Sequence, residues 1–377
     1  MTTAIEEAAP SFVVDCGDAG HLERSLEALP NRPAVFTLWP REGPPHLART
    51  AQLRRRLLRL LGARASRLAN VRGAVARVDC WITGSSLESL LRHYVLAATL
   101  FPDSYRDLVR LRMPAYVKVI LDNPFPRTLV TTQITRGNGR WFGPFPSRAA
   151  AERFETEVQD LFQLRRCQED LIPSPSHPGC IYGEMGKCLR PCQEVVGVDE
   201  YRHEADRVVH FFETGGRSLL DSVAAARDRF SAELDFEQAA RQHKRLEQIE
   251  AIVNSRGLLA ADIDCLYGVA VTASREDGCV DLRLVGRGVW APVERFAVAA
   301  PGDHVVSMDQ RLREWARSVV VPPASPRVRQ DHLAILSRWV HSSWRDGEWI
   351  AFYNLEALPY RKLVRAISRT AAARANP

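Results

Sequence analysis

The chain has 377 residues, too many for one ordinary domain, and its 46% hydrophobic and 25% charged residues are the balance of a globular protein with real cores. A net charge of +6 points to an anionic partner, and eight cysteines with no secretory signal in the opening MTTAIEEAAP read as metal ligands or buried thiols, not disulfides. No run of 18 apolar residues occurs, so no membrane partner is expected, and the cytoplasm is the expected compartment.

Residues 1–30 read as a loosely ordered lead-in with one short helix near Leu22–Leu29. Asn31-Arg32-Pro33 is a turn signal, Ala34–Trp39 a short strand, and Arg41–Pro45 a hairpin-like connection. Gln52–Leu61 has amphipathic spacing, Val75–Thr83 is a strand candidate, and Ser86–Leu100 is a helix with apolar residues three and four apart. Together, residues 31–102 form a small α/β unit. Between Pro44 and Val78 there is no acidic residue, whereas Arg49, Arg54, Arg55, Arg56, Arg59, Arg64, Arg67, Arg72 and Arg77 are all basic. Guanidinium groups displace counterions and donate to phosphate oxygens, so this excess fits a DNA-tracking surface, with Arg49, Arg54, Arg55 and Arg59 as its contacts. The competing reading is a solvated helix face.

Val117–Leu121 and Leu129–Ile134 alternate like paired strands within a β-rich connector over 103–146. Trp141–Pro146 is an aromatic, proline-punctuated exit. Ser147 is placed to cap the next helix, with Ala150 at its third position. A cysteine segment (147–199) and a helical hairpin (200–257) follow. Val269–Ala273 and Val280–Leu284 read as a hairpin within 258–322, where residues 301–328 are Pro-rich and irregular. The last stretch, 323–377, reads as a Trp-rich helix (Trp339, Trp344, Trp349) with a basic tail, placed to pack as a cap or to stack on DNA.

Cys167, Cys180, Cys188 and Cys192 fall within 26 residues, spaced C-x12-C-x7-C-x3-C. Soft thiolates select zinc or an iron–sulfur cluster. Zinc sites usually include a C-x2-C turn, absent here, and the longer gaps suit a bulkier cluster. Arg165, Arg166, Lys187 and Arg190 lie beside the four and are expected to favour thiolate over thiol. Cys16, Cys80, Cys265 and Cys279 read as core residues. Ser218–Val253 reads as two helices, the second capped by Asp235 with Gln238 at its third position, and with Phe236, Ala239, Ala240, Leu246, Ile249 and Val253 in one apolar stripe.

Arg165-Arg-Cys167, Cys180-Ile-Tyr182 and Gly186-Lys-Cys-Leu-Arg-Pro-Cys192 resemble the Cys-rich segment of the UvrC excinuclease family. Trp141-Phe-Gly-Pro-Phe-Pro-Ser147 is similar to that family's aromatic Gly-Pro-Tyr-Pro entry, and Leu234-Asp-Phe-Glu-Gln-Ala-Ala-Arg241 resembles its UVR motif. The resemblance implies a 4Fe-4S cluster on the four cysteines, with zinc as the alternative. It also implies docking on a UvrB-like helicase through Phe236, Glu237, Ala239, Ala240 and Arg241, for which a projecting Phe is a plausible anchor.

The same resemblance implies a GIY-YIG nuclease core, and that core is degenerate. Phe36 stands for the first catalytic Tyr and lacks its hydroxyl, His46 for the second, and Arg49 for the Lys. Arg56 matches the phosphate-binding Arg, and His93 stands where a metal-holding Glu belongs. Neutral imidazole is a poor ligand for magnesium, so Mg2+ is expected only if the nuclease is active. Glu88 lies one helical turn away along a different line. His46 and His93 are either an unusual paired site or two surface histidines.

The resemblance spans about residues 31–300, and residues 260–298 are similar to the linker that leads, in full-length UvrC, into a second nuclease domain. No room is expected for that RNase H-like domain or its helix-hairpin-helix motifs, as in the short Cho-type members. The expected fold is α+β multidomain: a small GIY-YIG-like α/β domain, a Cys-rich metal-binding segment, a UVR helical hairpin, and a C-terminal β-hairpin and helical region. The expected function is a UvrC-like protein of nucleotide-excision repair that binds DNA and UvrB with an impaired nuclease centre. The alternatives are an active single-incision endonuclease with rearranged ligands, and an iron–sulfur DNA-binding regulator.

Overall fold

The computed structural model describes residues 9–62, 71–299 and 306–375. The chain is mixed α and β, with three separate sheets among the described residues. It divides into two compact units, one of residues 1–112, 267–324 and 338–377, the other of residues 113–266 and 325–337. Arg64 and Arg67 of the basic stretch lie outside the described residues.

The first unit opens with β1 (Phe12–Asp15), α1 (Ala19–Ala28), β2 (Ala34–Pro40), β3 (His46–Thr50), α2 (Leu53–Leu61), β4 (Val75–Ile82), α3 (Ser86–Leu100) and α4 (Tyr105–Val109). Its sheet runs β1-β4-β2-β3, all antiparallel. β2 is central and buried on both faces. Ala34, Phe36 and Leu38 pack on one side with Leu22 and Leu26 of α1 and Leu53, Leu57 and Leu61 of α2. The four-residue spacing in α2 puts its leucines on one stripe, each worth roughly 1.5–3 kcal/mol when buried. α3 is buried from Leu87 to Val95, its polar residues Glu88, Ser89, Arg92 and His93 included. Ser85 caps it by accepting from the Glu88 amide at 3.1 Å, and the Glu88 carboxylate accepts in return from Gly84 N–H at 2.6 Å. The lead-in is more ordered than its sequence suggests: Phe12–Asp15 pairs residue for residue with Cys80–Arg77. Four residues are too few for a periodic signal, and the pairing partner lies more than sixty residues away.

The second unit holds β5 (Ala115–Ile120), β6 (Arg127–Thr131), β7 (Gly139–Phe145), α5 (Arg148–Gln159), α6 (Ile181–Glu184), α7 (Val198–Glu213), α8 (Arg217–Ala232), α9 (Phe236–Ser255) and β8 (Ala261–Asp262), with sheet order β6-β5-β7-β8. The aromatic exit is itself the strand β7: its Pro144 sits at a point of the β5 pairing where the register shifts. Phe142 and Phe145 join Phe154, Phe211 and Phe212 in one stacked and tilted aromatic core. Ser147 caps α5 by accepting from the Ala150 amide. At the α7–α8 turn Gly216 holds φ +91, and a Cβ there would stand 2.3 Å from Val253, so the close return of α9 requires glycine.

The first unit resumes with β9 (Tyr267–Ala273), β10 (Cys279–Gly286), β11 (Val289–Trp290), β12 (Glu294–Ala297), α10 (Met308–Ser318), α11 (Pro326–Val340, of which residues 326–337 belong to the second unit), β13 (Gly347–Phe352) and α12 (Tyr360–Ala375). Its sheet runs β11-β10-β9-β13, with β12 also on β10, and α10 and α12 supply Leu312, Trp315, Leu363 and Ile367 to its core. Two expectations are corrected here. The Pro-rich stretch contains α10, capped by Ser307 on the Gln310 amide and anchored by Leu312 and Trp315 at helical spacing; Pro301 precedes the helix and Pro322, Pro323 and Pro326 follow it. The three tryptophans do not share a helix: Trp339 is buried in α11, Trp344 lies in a turn, and Trp349 is on β13, because α11 ends at Val340 and the turn over 341–344 leads into a strand. Among the described residues no helix is long and apolar enough to cross a membrane.

Candidate functional sites

Strand register decides what becomes of the nuclease positions. Phe36 pairs with Ala48 and Cys80 and is fully buried in the α1/α2 core. His46 pairs with Leu38 and is exposed, whereas Arg49 pairs with Val35. Residues three apart on a strand face opposite sides, so His46 and Arg49 are separated by the sheet. His93, on α3, lies near Arg49 and Arg338. Burial and then these two cations hold its pKa down to about 4, and among the described residues neither ring nitrogen has a hydrogen-bond partner. His93 is therefore a buried neutral imidazole, and a joint site with His46 is corrected by the register. Of the five positions, the structure brings together Arg49 and His93. Arg56, half-buried on α2, sits beside the exposed Arg54, Arg55 and Arg59, and among the described residues Arg54, Arg56 and Arg59 form no ion pair.

A divalent cation does not fit this neighbourhood. Glu88 is held at the Gly84 amide, and among the described residues no three His, Cys, Asp or Glu side chains are grouped to hold a metal ion. No reaction step through a metal is derived for it.

The cysteine segment is an irregular loop held by cross-links. Leu189 N–H donates to Gln163 O, Gln163 Nε2 to Gly186 O at 2.7 Å, Ser174 N–H to Cys192 O, and Gln193 Nε2 to His177 O. All four thiols are free, with Cys188 and Cys192 buried and Cys180 exposed. Burial pushes the Cys188 thiol up to about 11, partly offset by the Arg190 amide donating to its Sγ at 3.4 Å, and then raised by Cys180, Cys167 and Cys192. The four sulfurs are thus close enough to feel one another's charge, although no three are drawn tightly round a single ion.

The surrounding cations do less for the thiols than their positions in sequence suggest. Arg166 and Lys187 both bind Asp160, at 2.8 and 2.7 Å. Among the described residues, Arg165 is the one of these cations whose charged group reaches a sulfur: its Nη1 lies 3.5 Å from Cys167 Sγ. No sequence signal announced Asp160, the residue that ends α5.

In the hairpin, Asp235 caps α9 by accepting from the Gln238 amide at 3.1 Å, and Glu237 pairs with Arg241. Only the far end of the apolar stripe is buried, at Ile249, with Ile252 beside it. The near end stands in solvent: Leu234 is 72% exposed, Phe236 67%, and Ala240 and Arg241 are exposed as well.

Residues 115–211 match the family profile described as UvrC/Cho excinuclease, middle domain, a span that contains β5–β7, the four cysteines and most of α7. The chain is UvrC-like. It is 27% identical over 309 residues to the UvrABC system protein C of Moorella thermoacetica, covering 80% of this chain and 50% of that protein. To the protein of the same name from Lachnospira eligens it is 24% identical over 292 residues, covering 75% and 47%. For Acetivibrio thermocellus the figures are 23% over 331 residues, 85% and 52%. The UvrC-like chain thus spans about half the length of these curated relatives. No solved structure matches it.

Proposed function

We propose that this UvrC-like chain serves nucleotide-excision repair by binding DNA and a UvrB-like helicase, with a nuclease centre too impaired for efficient incision. The observation that carries the impairment is the burial of Phe36 on one face of the sheet while Arg49 occupies the other. A hydroxyl missing from the first tyrosine position, a buried neutral His93 for the acidic ligand, and His46 on the wrong face leave no assembled base, cation and metal carboxylate. Arg54, Arg55, Arg56 and Arg59 on α2, free of carboxylates among the described residues, supply the phosphate contacts. Phe236, Glu237, Ala239, Ala240 and Arg241 at the hairpin tip supply the helicase contact, supported by exposed apolar groups on a capped, ordered helix.

Cys167, Cys180, Cys188 and Cys192 would hold a 4Fe-4S cluster. The donor set fits: four free thiols within mutual electrostatic reach, two of them buried, with N–H donors aimed at sulfur. When bound, the cluster supplies a cross-link that fixes a loop with little regular structure of its own. Zinc, the alternative, requires the sulfurs to close round one ion.

Incubating the protein, a UvrB helicase and a lesion-bearing duplex with magnesium or manganese tests the reading. Duplex and helicase binding without incision is expected, and incision abolished by Arg56→Ala overturns the impaired centre. Metal analysis of anaerobically purified protein should give about four irons per chain with visible absorbance, and an iron-free, colourless preparation overturns the cluster.

A further inference from the structure

Within the first unit, a cavity of about 420 Å³ is lined by Arg49, Ser86, Ser89, Arg338, Trp344 and Asp346, among others. Its size is that of a small-ligand site. Its chemistry is that of an anion site. Arg49 has no carboxylate partner among the described residues, and Arg338 spends its Nη1 on the Val109 and Arg110 carbonyls. Ser89 is 93% buried, lines the cavity, and forms no side-chain hydrogen bond among the described residues. The N-terminus of the fifteen-residue α3 opens here, and the Ser86 amide donates to the Asp346 carboxylate, which also accepts from Trp339 Nε1 at 3.3 Å. Trp344, 39% exposed, stands on the wall.

We propose that this cavity binds the phosphorylated end of a single-stranded DNA, and that Asp346 occupies the phosphate position until that end displaces it. A helix N-terminus with two guanidinium groups attracts negative charge, and an internal carboxylate already sits there. Once Asp346 is displaced, two cations and the helix terminus face the ligand. That matches a phosphomonoester, which carries about −1.5 to −2 at neutral pH, better than a diester with one charge. The indole of Trp344 offers the terminal base a stacking face. The inference rests on the DNA-binding reading above, but apart from Arg49 it uses residues outside the α2 arginines, and duplex binding through α2 can fail without it.

Fluorescence competition on the full chain tests it, using pTpTpT, unphosphorylated TpTpT and inorganic phosphate, with duplex binding measured in parallel. The wild type is expected to prefer pTpTpT over TpTpT at least tenfold. Asp346→Asn should tighten pTpTpT about threefold to tenfold. Arg49→Gln with Arg338→Gln should weaken it at least tenfold, and Trp344→Ala should weaken pTpTpT while leaving inorganic phosphate unchanged. Equal binding of pTpTpT and TpTpT, or weaker binding by Asp346→Asn in a protein whose circular dichroism is unchanged, overturns the site. Inorganic phosphate binding as tightly as pTpTpT overturns the nucleic-acid ligand. Loss of duplex binding alone strikes the proposed function and not this cavity.

Discussion

Arg165 is buried against Cys167, with its Nη1 3.5 Å from Sγ, 3.3 Å from the Cys167 carbonyl and 2.8 Å from the Glu169 carbonyl. Its Nε donates to Phe125 O, and its backbone amide to the Tyr201 hydroxyl. One guanidinium therefore joins the β5–β6 connection to the start of the cysteine segment. Arg165→Met keeps the bulk and strands three carbonyls. Each buried unsatisfied acceptor costs about 1–3 kcal/mol, so a loss of roughly 3 kcal/mol or more in urea denaturation is expected. An unchanged midpoint would show that water replaces the guanidinium.

Restoring the tyrosine of the resembled nuclease pattern should not restore a nuclease. Phe36→Tyr places a hydroxyl in the α1/α2 core, among Leu22, Leu26, Leu53 and Leu57. An unpartnered hydroxyl there costs about 1–3 kcal/mol. Expected results are a lower thermal midpoint and no gain in incision. A gain would mean that Phe36 reaches the opposite face.

His93 makes stability depend on pH in a stated direction. Its pKa in the folded chain is about 4, below the ordinary 6.5, because of burial first and of Arg49 and Arg338 next. The unfolded chain therefore binds the extra proton between those values, and stability present above pH 6.5 is lost as pH falls toward 4. The full span is on the order of 3 kcal/mol. His332, held down to about 3 by burial, acts in the same sense. Urea titrations at pH 7.5 and 4.5 should show a smaller drop for His93→Leu than for the wild type. An equal drop would place the acid sensitivity elsewhere.

The hairpin should separate binding from stability. Phe236→Asp changes an exposed tip and is expected to shift stability by no more than about 0.5 kcal/mol while abolishing capture of a UvrB helicase in a pull-down. Ile249→Ala empties a fully buried position. It should cost about 2–5 kcal/mol. Retained capture by Phe236→Asp would move the helicase contact away from the tip.

Regular elements with one dominant face were readable from sequence. Leu53, Leu57 and Leu61 marked α2, the run Leu87–Leu96 marked α3, and Asp235 and Ser147 marked two helix starts. β1 was not readable, since its order comes from the β4 edge and not from its own four residues. Arginine and lysine positions near the cysteines were visible, but their pairing with Asp160 was not, because sequence proximity to a thiol says nothing about a nearer carboxylate. The sequence located the degenerate nuclease positions but not their faces, which depend on the β2–β3 register. The cavity at Arg49 was invisible for a plainer reason: the Ser86–Asp346 contact joins residues 260 apart.

The α8–α9 arm combines a rooted base with a bare, capped end. Twenty residues of helix span about 30 Å, and the cap at Asp235 keeps the first turn from fraying. A partner meeting Phe236 therefore encounters a shape already formed. Little conformational entropy remains to be lost there on association, so the encounter should proceed as rigid docking, with neither coupled folding nor its heat-capacity signature beyond that of the contact area itself.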